Sequence, residues 1–111
     1  MILVDTNILI DFLKNPNKGK ESIFQENEIA TCGVIFTELL RGSKNPKESE
    51  KLKTALECFE YLTFEKQDWL EVACLFAKLK KSGLTIPYQD GIIAYLAIKN
   101  DCQLWTLDNH F

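Results

Sequence analysis

The sequence predicts an α/β fold in which a short parallel sheet is covered by helices on both faces. Short continuous apolar runs, typical of strands buried on both faces, alternate along the chain with longer segments of helical periodicity. Acidic residues stand at several points where a strand should end or a helix begin. A chain of 111 residues fits one domain, so we expect a single hydrophobic core across residues 1–111.

The first half of the chain begins with a predicted strand over residues 2–4. It is followed by Asp-Thr-Asn, a pattern typical of a buried strand that ends at a helix cap. The helix that follows carries apolar residues at i, i+1, i+4 and i+5 spacing and stops at the Asn-Pro-Asn cluster, residues 15–17. The next three elements are a short helix, a strand and a helix closed by glycine, over residues 18–26, 28–32 and 34–41.

The spacing of apolar residues predicts two later helices, each with one apolar face turned toward the core. The helix over residues 46–59 turns inward Leu52, Ala55, Leu56 and Phe59. The longest helix, over residues 67–81, does the same with Trp69, Val72, Ala73, Phe76 and Leu79. We expect Trp69 and Phe76 to serve the core rather than a dimer interface. The remaining elements are a strand, a helix that is apolar all round and a strand, over residues 61–64, 92–98 and 102–107.

Composition is that of an ordinary globular protein, with 46% hydrophobic and 26% charged residues. No run is long enough to span a bilayer, and no secretory signal opens the chain, which favours the cytoplasm. The single histidine, His110, and the absence of a C-x-x-C pair make structural zinc improbable. The four cysteines fall in apolar segments and are predicted to be core thiols, at positions Cys32, Cys58, Cys74 and Cys102.

Four acids occupy the edge at which a parallel sheet binds its ligands. Asp5 and Asp108 follow predicted strands, whereas Glu38 and Asp90 lie near helix starts. Because helices that follow strands begin at the carboxyl edge of the sheet, the four side chains can meet there. Converging carboxylates repel one another unless a cation compensates them, and an oxygen-rich site without sulfur or histidine suits Mg²⁺ or Mn²⁺. Such a site activates water and neutralises phosphate charge, which indicates phosphodiester chemistry.

Each acid also has a purely structural interpretation. Asp5 and Asp90 could cap helices, and Asp108 could close an Asx turn after its strand. Glu38 could pair with the arginine three residues later. Its flank of the helix is largely apolar or small, however, and a carboxylate there is costly unless something binds it.

The net charge of −3 argues against a large, generally basic surface for nucleic acid. Residues 41–53 nevertheless carry a net charge of +3. The simplest interpretation is that these side chains keep a helix soluble. The alternative is a rim beside Glu38 that guides phosphates, and its candidates are Arg41, Lys44, Lys47 and Lys51.

In their identity and order, these residues resemble the PIN domain, and in detail the VapC-like ribonuclease toxins of type II toxin–antitoxin systems. The resemblance rests on four short motifs that extend over essentially the whole chain. They are Asp5-Thr6-Asn7 after an apolar strand, Glu38-Leu39-Leu40-Arg41-Gly42, Ile86-Pro87 followed by Asp90 and Ile92-Ile93-Ala94, and Thr106-Leu107-Asp108 with Phe111.

The resemblance implies a PIN-like three-layer α/β/α sandwich with a short central parallel sheet. It implies that all four acids are catalytic and hold one or two Mg²⁺ or Mn²⁺ ions. It gives Thr6, Asn7 and Thr106 the role of orienting these ligands or a water molecule. The family is associated with endoribonucleolytic cleavage of RNA, with homodimers and with an antitoxin whose C-terminal segment covers the site. We therefore expect a metal-dependent endoribonuclease with RNA, a cognate antitoxin and a second copy as partners, and without a membrane.

Two other functions stay open. Family members continue past the last aspartate through a helix and an edge strand, and this sequence stops at Phe111, so we expect the C-terminal edge element to be absent. That expectation motivates a catalytically weak PIN-like module that binds RNA or protein. A phosphatase of the haloacid-dehalogenase type also places an aspartate after its first strand, but it usually needs a second one where this chain has Asn7.

Overall fold

The computed structural model of the protein describes residues 1–108, and four strands and six helices lie within them. His110 and Phe111 lie outside the described residues. In chain order the elements are β1 (Ile2–Val4), α1 (Thr6–Lys14), α2 (Lys18–Glu26), β2 (Ile29–Cys32), α3 (Gly33–Arg41), α4 (Pro46–Glu57), β3 (Glu60–Leu62), α5 (Lys66–Lys81), α6 (Tyr88–Lys99) and β4 (Gln103–Trp105).

The four strands form one parallel sheet in the order β3-β2-β1-β4, which confirms the predicted fold class. The chain moves from β1 outward through β2 to β3 and then returns to the other side of β1 to form β4. Because such crossovers are right-handed, the first two connections cover one face of the sheet and the last covers the other. The direction of winding therefore reverses between β1 and β4, and a crevice is expected outside their carboxyl ends.

Side chains that cap the helices fix where the chain leaves the sheet. Asp5 caps α1 directly after β1 and leaves its backbone extended, so the strand passes into the helix without a loop. Asn17 and Asn45 cap α2 and α4, each accepting a hydrogen bond from an amide three residues later. Pro46 follows as the first residue of α4, where its missing amide hydrogen is not needed.

The core fills the space between the sheet and its helices. Both central strands contribute to it, with Leu3, Val4, Ala30 and Cys32 fully buried. The larger helical contributions come from Ile8, Ile35, Leu56, Ile93 and Leu96. No helix in residues 1–108 is long and apolar enough to cross a membrane.

The predicted inward face of α5 is confirmed at Val72, which is buried, and at Leu79, which is half-buried, but it is wrong at two positions. Trp69 is 46% exposed and Ala73 is also exposed, whereas Asp68 is buried. A buried aspartate takes the central inward position, so the tryptophan is turned toward the helix edge. Phe76 lies half-buried against the core, as expected.

Two of the four cysteines also differ from the prediction. Cys32 is buried and Cys102 half-buried, but Cys58 and Cys74 are exposed and therefore are not core thiols. Cys58 lies just after the last residue of α4, and Cys74 lies on an exposed side of α5; their apolar sequence surroundings did not distinguish these positions from core positions. In α4 the same periodicity buries Leu56 and exposes Ala55, which had been expected to point inward.

Helices α5 and α6 approach each other closely at Gly91. A methyl group added there would lie 2.2 Å from Cζ and 2.3 Å from Cε1 of Phe76. The Phe76 ring is stacked on Tyr88, with ring centroids 5.7 Å apart and planes inclined by 4°. The absence of a side chain at Gly91 therefore allows the ring to lie between the two helices.

A second contact between these helices is a buried polar network around Asp68. One carboxylate oxygen accepts a hydrogen bond of 2.7 Å from the Glu65 amide. The other accepts one of 2.8 Å from the Tyr95 hydroxyl and pairs with the Lys99 ammonium. Tyr95 also contacts Glu71. The Lys99 ion pair, helped by the Glu65 amide and Tyr95, lowers the pKa of Asp68 to about 2.

Replacing Gly91 with alanine tests the close approach of the helices. Alanine favours a helix over glycine by up to about 1 kcal/mol, but overpacking of a core costs about 1–3 kcal/mol. We expect Gly91→Ala to lower the free energy of unfolding by about 1 kcal/mol in urea titrations. Gly19→Ala places its new methyl group 3.4 Å from the side-chain Oδ1 of Asn17, an ordinary contact. This substitution should leave the free energy of unfolding equal or higher. Equal effects of the two substitutions would contradict the packing argument.

The Asp68 network predicts a particular loss of stability in acid. Because the pKa of Asp68 is depressed in the folded state, its ionised form stabilises the fold above the ordinary value of 3.8. That contribution is lost as the pH falls from about 4 toward 2. We expect the stability difference between the wild type and Asp68→Asn to shrink across this window in thermal denaturation. Lys99→Met should raise the pKa of Asp68, so the loss of stability should begin and end at a higher pH than in the wild type. An unchanged pH range would refute the role of the ion pair.

Candidate functional site

A cleft of about 380 Å³ opens at the carboxyl edge of the sheet, where β1 and β4 lie side by side. Seven residues predicted from the sequence line it, although they are up to about a hundred positions apart in the chain. They are Asp5, Thr6, Asn7, Glu38, Arg41, Asp90 and Asp108. The crevice expected from the winding of the sheet is thus the place where the predicted acids gather.

Asp5 is buried at the end of β1 and is held from two sides. Its Oδ1 accepts a hydrogen bond of 2.7 Å from the Thr6 amide, so the predicted capping role is real. Its Oδ2 accepts another of 2.7 Å from the Thr106 hydroxyl on the neighbouring strand's extension. A carboxylate has about four lone-pair sites, so both oxygens keep acceptor capacity toward the cleft. The cap and the metal ligand are therefore compatible roles for Asp5.

The Thr106 hydroxyl connects both ends of the chain. It donates to Asp5 and accepts from the Asn7 side-chain amide at 3.4 Å and from the Asp108 backbone amide at 2.9 Å. Asn7 in turn accepts a hydrogen bond of 3.1 Å from the Leu107 amide. One donor and two acceptors use the full capacity of a hydroxyl group. The turn after β4 is thus closed by Thr106, and it positions Asp108 beside the cleft.

Glu38 projects from α3 and is half-buried. Its Oε1 accepts a hydrogen bond of 3.1 Å from the Thr6 hydroxyl, whereas among the described residues it forms no ion pair with Arg41. Burial raises the pKa of Glu38, and the negative charges of Asp5 and Asp90 raise it further, against the opposing effects of Thr6 and Arg41. The alternative of a surface pair with Arg41 is therefore wrong.

Asp90 lies in the first turn of α6 and is buried, with 7% of its surface exposed. An acid at this position is favoured by the helix dipole, so the structural interpretation also holds in part. Asp90 nevertheless lines the cleft and raises the pKa of Glu38, which places its charge near the other acids. Its burial is costly for a carboxylate unless partners or a cation meet the charge.

Of the four predicted phosphate-guiding residues, the structure brings only Arg41 to the cleft. Lys47 and Lys51 line a separate shallow groove with Glu50 and Thr54 on α4. Lys44 is exposed beyond the end of α3. The positive run therefore extends away from the acids, as a solvated helix face does, with Arg41 as its single member at the site.

Three residues of the cleft were missed by sequence reasoning: Ile10, Pro87 and Gln89. Ile10 lies one helical turn after Thr6 on α1, so the helical period indicates its position once Thr6 is assigned to the site. Pro87 and Gln89 flank the start of α6 beside Asp90. Their closeness to Asp90 in the sequence was the signal that could have identified both residues.

The donors of the cleft fit a hard divalent cation. All four acids offer oxygen, none of the lining side chains offers sulfur or imidazole, and Arg41 is the only cationic residue among the lining residues in the described part of the chain. Within residues 1–108, no three acidic, histidine or cysteine side chains are close enough together to form a metal site as they stand. The four acids would have to move closer together around an ion. During this movement Thr6 would keep its hydrogen bonds to Asp5 and Glu38, and Thr106 would keep its hydrogen bond to Asp5.

The sequence of this chain is similar to that of known proteins. A sequence model of the PIN domain family matches residues 2–111. Ribonuclease VapC1 of Methanocaldococcus jannaschii is 31% identical over 111 residues, which cover 99% of this chain and 78% of that protein.

Solved structures share the fold as well. VapBC2 of Rickettsia felis, bound to a DNA fragment from its promoter, has a TM-score of 0.80 at 28% identity and covers 97% of this chain and 88% of its own. VapBC-1 of nontypeable Haemophilus influenzae has a TM-score of 0.77 at 26% identity, with 97% and 87% covered. A toxin-antitoxin complex from Klebsiella pneumoniae, at 21% identity, has the same fold with a TM-score of 0.78 and coverage of 97% and 87%.

The Thr106 hydroxyl gives a test of the site that does not depend on turnover. Thr106→Val keeps the shape but removes all three hydrogen bonds, so Asp5 and Asp108 lose their orientation. We expect it to weaken Mn²⁺ binding about 10–100-fold in calorimetric titrations, the usual effect of losing such a supporting contact.

Two control variants accompany this experiment. Thr106→Ser keeps the hydroxyl and should bind Mn²⁺ within a few-fold of the wild type. Thr54→Val removes an exposed hydroxyl on α4 that donates to the Glu50 carbonyl, away from the cleft. This substitution should leave the Mn²⁺ affinity unchanged. Equal affinity of the Thr106→Val and Thr106→Ser variants would show that the hydroxyl does not organise the site.

Proposed function

We propose that this chain, which belongs to the PIN domain family, is a Mg²⁺- or Mn²⁺-dependent endoribonuclease and the toxin of a VapBC-type toxin–antitoxin pair. One observation carries the proposal: Asp5, Glu38, Asp90 and Asp108 line one cleft at the reversal point of a parallel sheet. The name of the relative, Ribonuclease VapC1, supports a nuclease of the same kind.

The metal, when bound by the four acids, would supply an activated water molecule and neutralise charge on the phosphate. The chain's own contribution is to position these ligands. Asp5 is fixed by the Thr6 amide and the Thr106 hydroxyl, so its remaining lone pairs keep one direction toward the cleft. Asp108 is brought to the same side by its amide contact with Thr106.

Glu38 and Arg41 have complementary roles in this proposal. Burial and the neighbouring charges of Asp5 and Asp90 raise the pKa of Glu38, and a bound cation would lower it by favouring the ionised carboxylate. Arg41 is a permanent cation at the rim of the cleft, where its planar group can pair with a phosphate of the strand. Neither role needs a serine, cysteine or histidine nucleophile.

The proposed partners are an RNA substrate, a cognate antitoxin protein and a second copy of the chain. The antitoxin is supported by the solved structures with the same fold, which are VapBC proteins and a toxin-antitoxin complex. RNA is supported by the name of the curated relative. Because RNA is available in the cytoplasm, we propose that the chain acts there.

Cleavage of RNA by the purified protein tests the proposed function. We expect cleavage with Mg²⁺ or Mn²⁺ that stops on addition of a chelator, followed on labelled RNA by gel electrophoresis. Asp5→Asn and Asp90→Asn should each reduce the rate at least about 100-fold, since each removes a charged ligand rather than its support.

Glu57→Gln removes an exposed carboxylate at the end of α4 and is the matched control, expected to cleave at the wild-type rate. Cleavage that survives both Asp5→Asn and Asp90→Asn would exclude the proposed site. Metal binding and RNA binding without any cleavage would instead support the alternative of a catalytically weak binding module.

A further inference from the structure

A second cavity, of about 560 Å³, lies beside the acid cleft, and we refer to it as the aromatic groove. Buried Ile92 and Leu96 of α6 contribute to its lining, together with three aromatic side chains. These aromatic residues are Tyr61 after the start of β3, Phe64 before α5 and Trp69 on α5. Its volume falls within the range of pockets that hold small organic groups.

The rings of the groove are fixed in orientation but incompletely covered. Trp69 meets Phe64 edge to face with ring centroids 4.4 Å apart, and Tyr61 meets Phe36 in the same way at 5.2 Å. Yet 46% of Trp69 and 49% of Tyr61 is exposed. Exposed aromatic surface beside a cleft typically marks a binding site, since the core gains little from it.

The groove and the acid cleft are adjacent. Glu38, Arg41 and Gln89 line both of them, so these residues form a shared wall. Arg41 places a positive charge at the junction, between the four acids on one side and the aromatic rings on the other. A polymer whose phosphates alternate with flat ring systems could place a phosphate at Arg41 and a ring against the aromatic side chains of the groove.

We propose that the aromatic groove binds an unpaired nucleobase of the RNA strand whose backbone lies in the acid cleft. This inference rests on the proposed function and assigns the groove, rather than the acid cleft, to contact with the base. Unpaired bases stack on aromatic side chains, and every base has a flat face for this contact. Thr37 and Gln89 also line the groove. The Thr37 hydroxyl donates to the Gly33 carbonyl and keeps acceptor capacity for the base, and the Gln89 amide can both donate and accept.

The shared wall favours a nucleobase over other occupants. An apolar side chain of another protein could fill the groove, but it would make no use of the Arg41 charge. A base whose own phosphate pairs with Arg41 would use both the aromatic rings and the charge. The tethering also means that base and phosphate bind as one ligand, so each raises the effective concentration of the other.

The test compares RNA with and without bases, in chelator so that no cleavage is expected. Binding of a fluorescent, adenine-rich single-stranded RNA is measured by anisotropy, beside the same strand built from abasic ribose. We expect Trp69→Ala to weaken binding of the base-bearing RNA about tenfold, the size typical of one lost base stack. The abasic strand should bind the wild type and Trp69→Ala equally.

Two variants control for folding and for general surface effects. Trp69→Phe keeps an aromatic face and should retain most of the affinity. Leu70→Ala, next along α5 and 56% exposed, does not line the groove and should bind both strands as the wild type does.

Several results would overturn the proposal. They are an equal loss on both strands, no loss in Trp69→Ala, or no measurable binding of RNA by the wild type. A changed sedimentation coefficient of Trp69→Ala without loss of RNA binding would assign the groove to a contact between copies. Because no step here requires cleavage, failure of the nuclease assay and failure of this experiment are distinguishable.

Discussion

The Thr106 hydroxyl is the contact on which the geometry of the site depends. It joins the end of β4 to Asp5 at the end of β1, and its two acceptor positions are used by Asn7 and Asp108. This link lies where the winding of the sheet reverses. A parallel sheet leaves a crevice at such a point as a matter of topology. The hydroxyl determines how the acids in it are oriented.

The two buried carboxylate sites of this protein illustrate two solutions to one problem. At Asp68 the charge is met by Lys99, Tyr95 and a backbone amide, and the pKa falls. At Glu38 burial raises the pKa, and the charges of Asp5 and Asp90 raise it further. The first arrangement pairs the carboxylate with a cation of the chain and ties α5 to α6. The second gathers acids in one cleft, and this concentration of negative charge is the physical basis for proposing a cation there.

The sequence was sufficient for those features that depend on local pattern and topology. Strand and helix order, the parallel sheet and the gathering of four distant acids followed from apolar runs, capping residues and the rule for strand ends. The exposure of Trp69 did not follow, because it depends on a long-range network that turns Asp68 inward. The aromatic groove could not be predicted either, since its walls come from β2, α3, β3, α5 and α6 and share no periodicity.

The separation of Asp5 and Thr106 along the chain also has a consequence for protein synthesis. A ribosome makes Asp5, Glu38 and Asp90 well before it makes Thr106, and chains emerge from it amino end first. Until β4 pairs with β1, Asp5 has its cap contact with Thr6 but not its second support. The second support of Asp5 therefore forms only after Thr106 has been synthesised and β4 has paired with β1. The three earlier acids thus precede, in order of synthesis, the contact that orients their site.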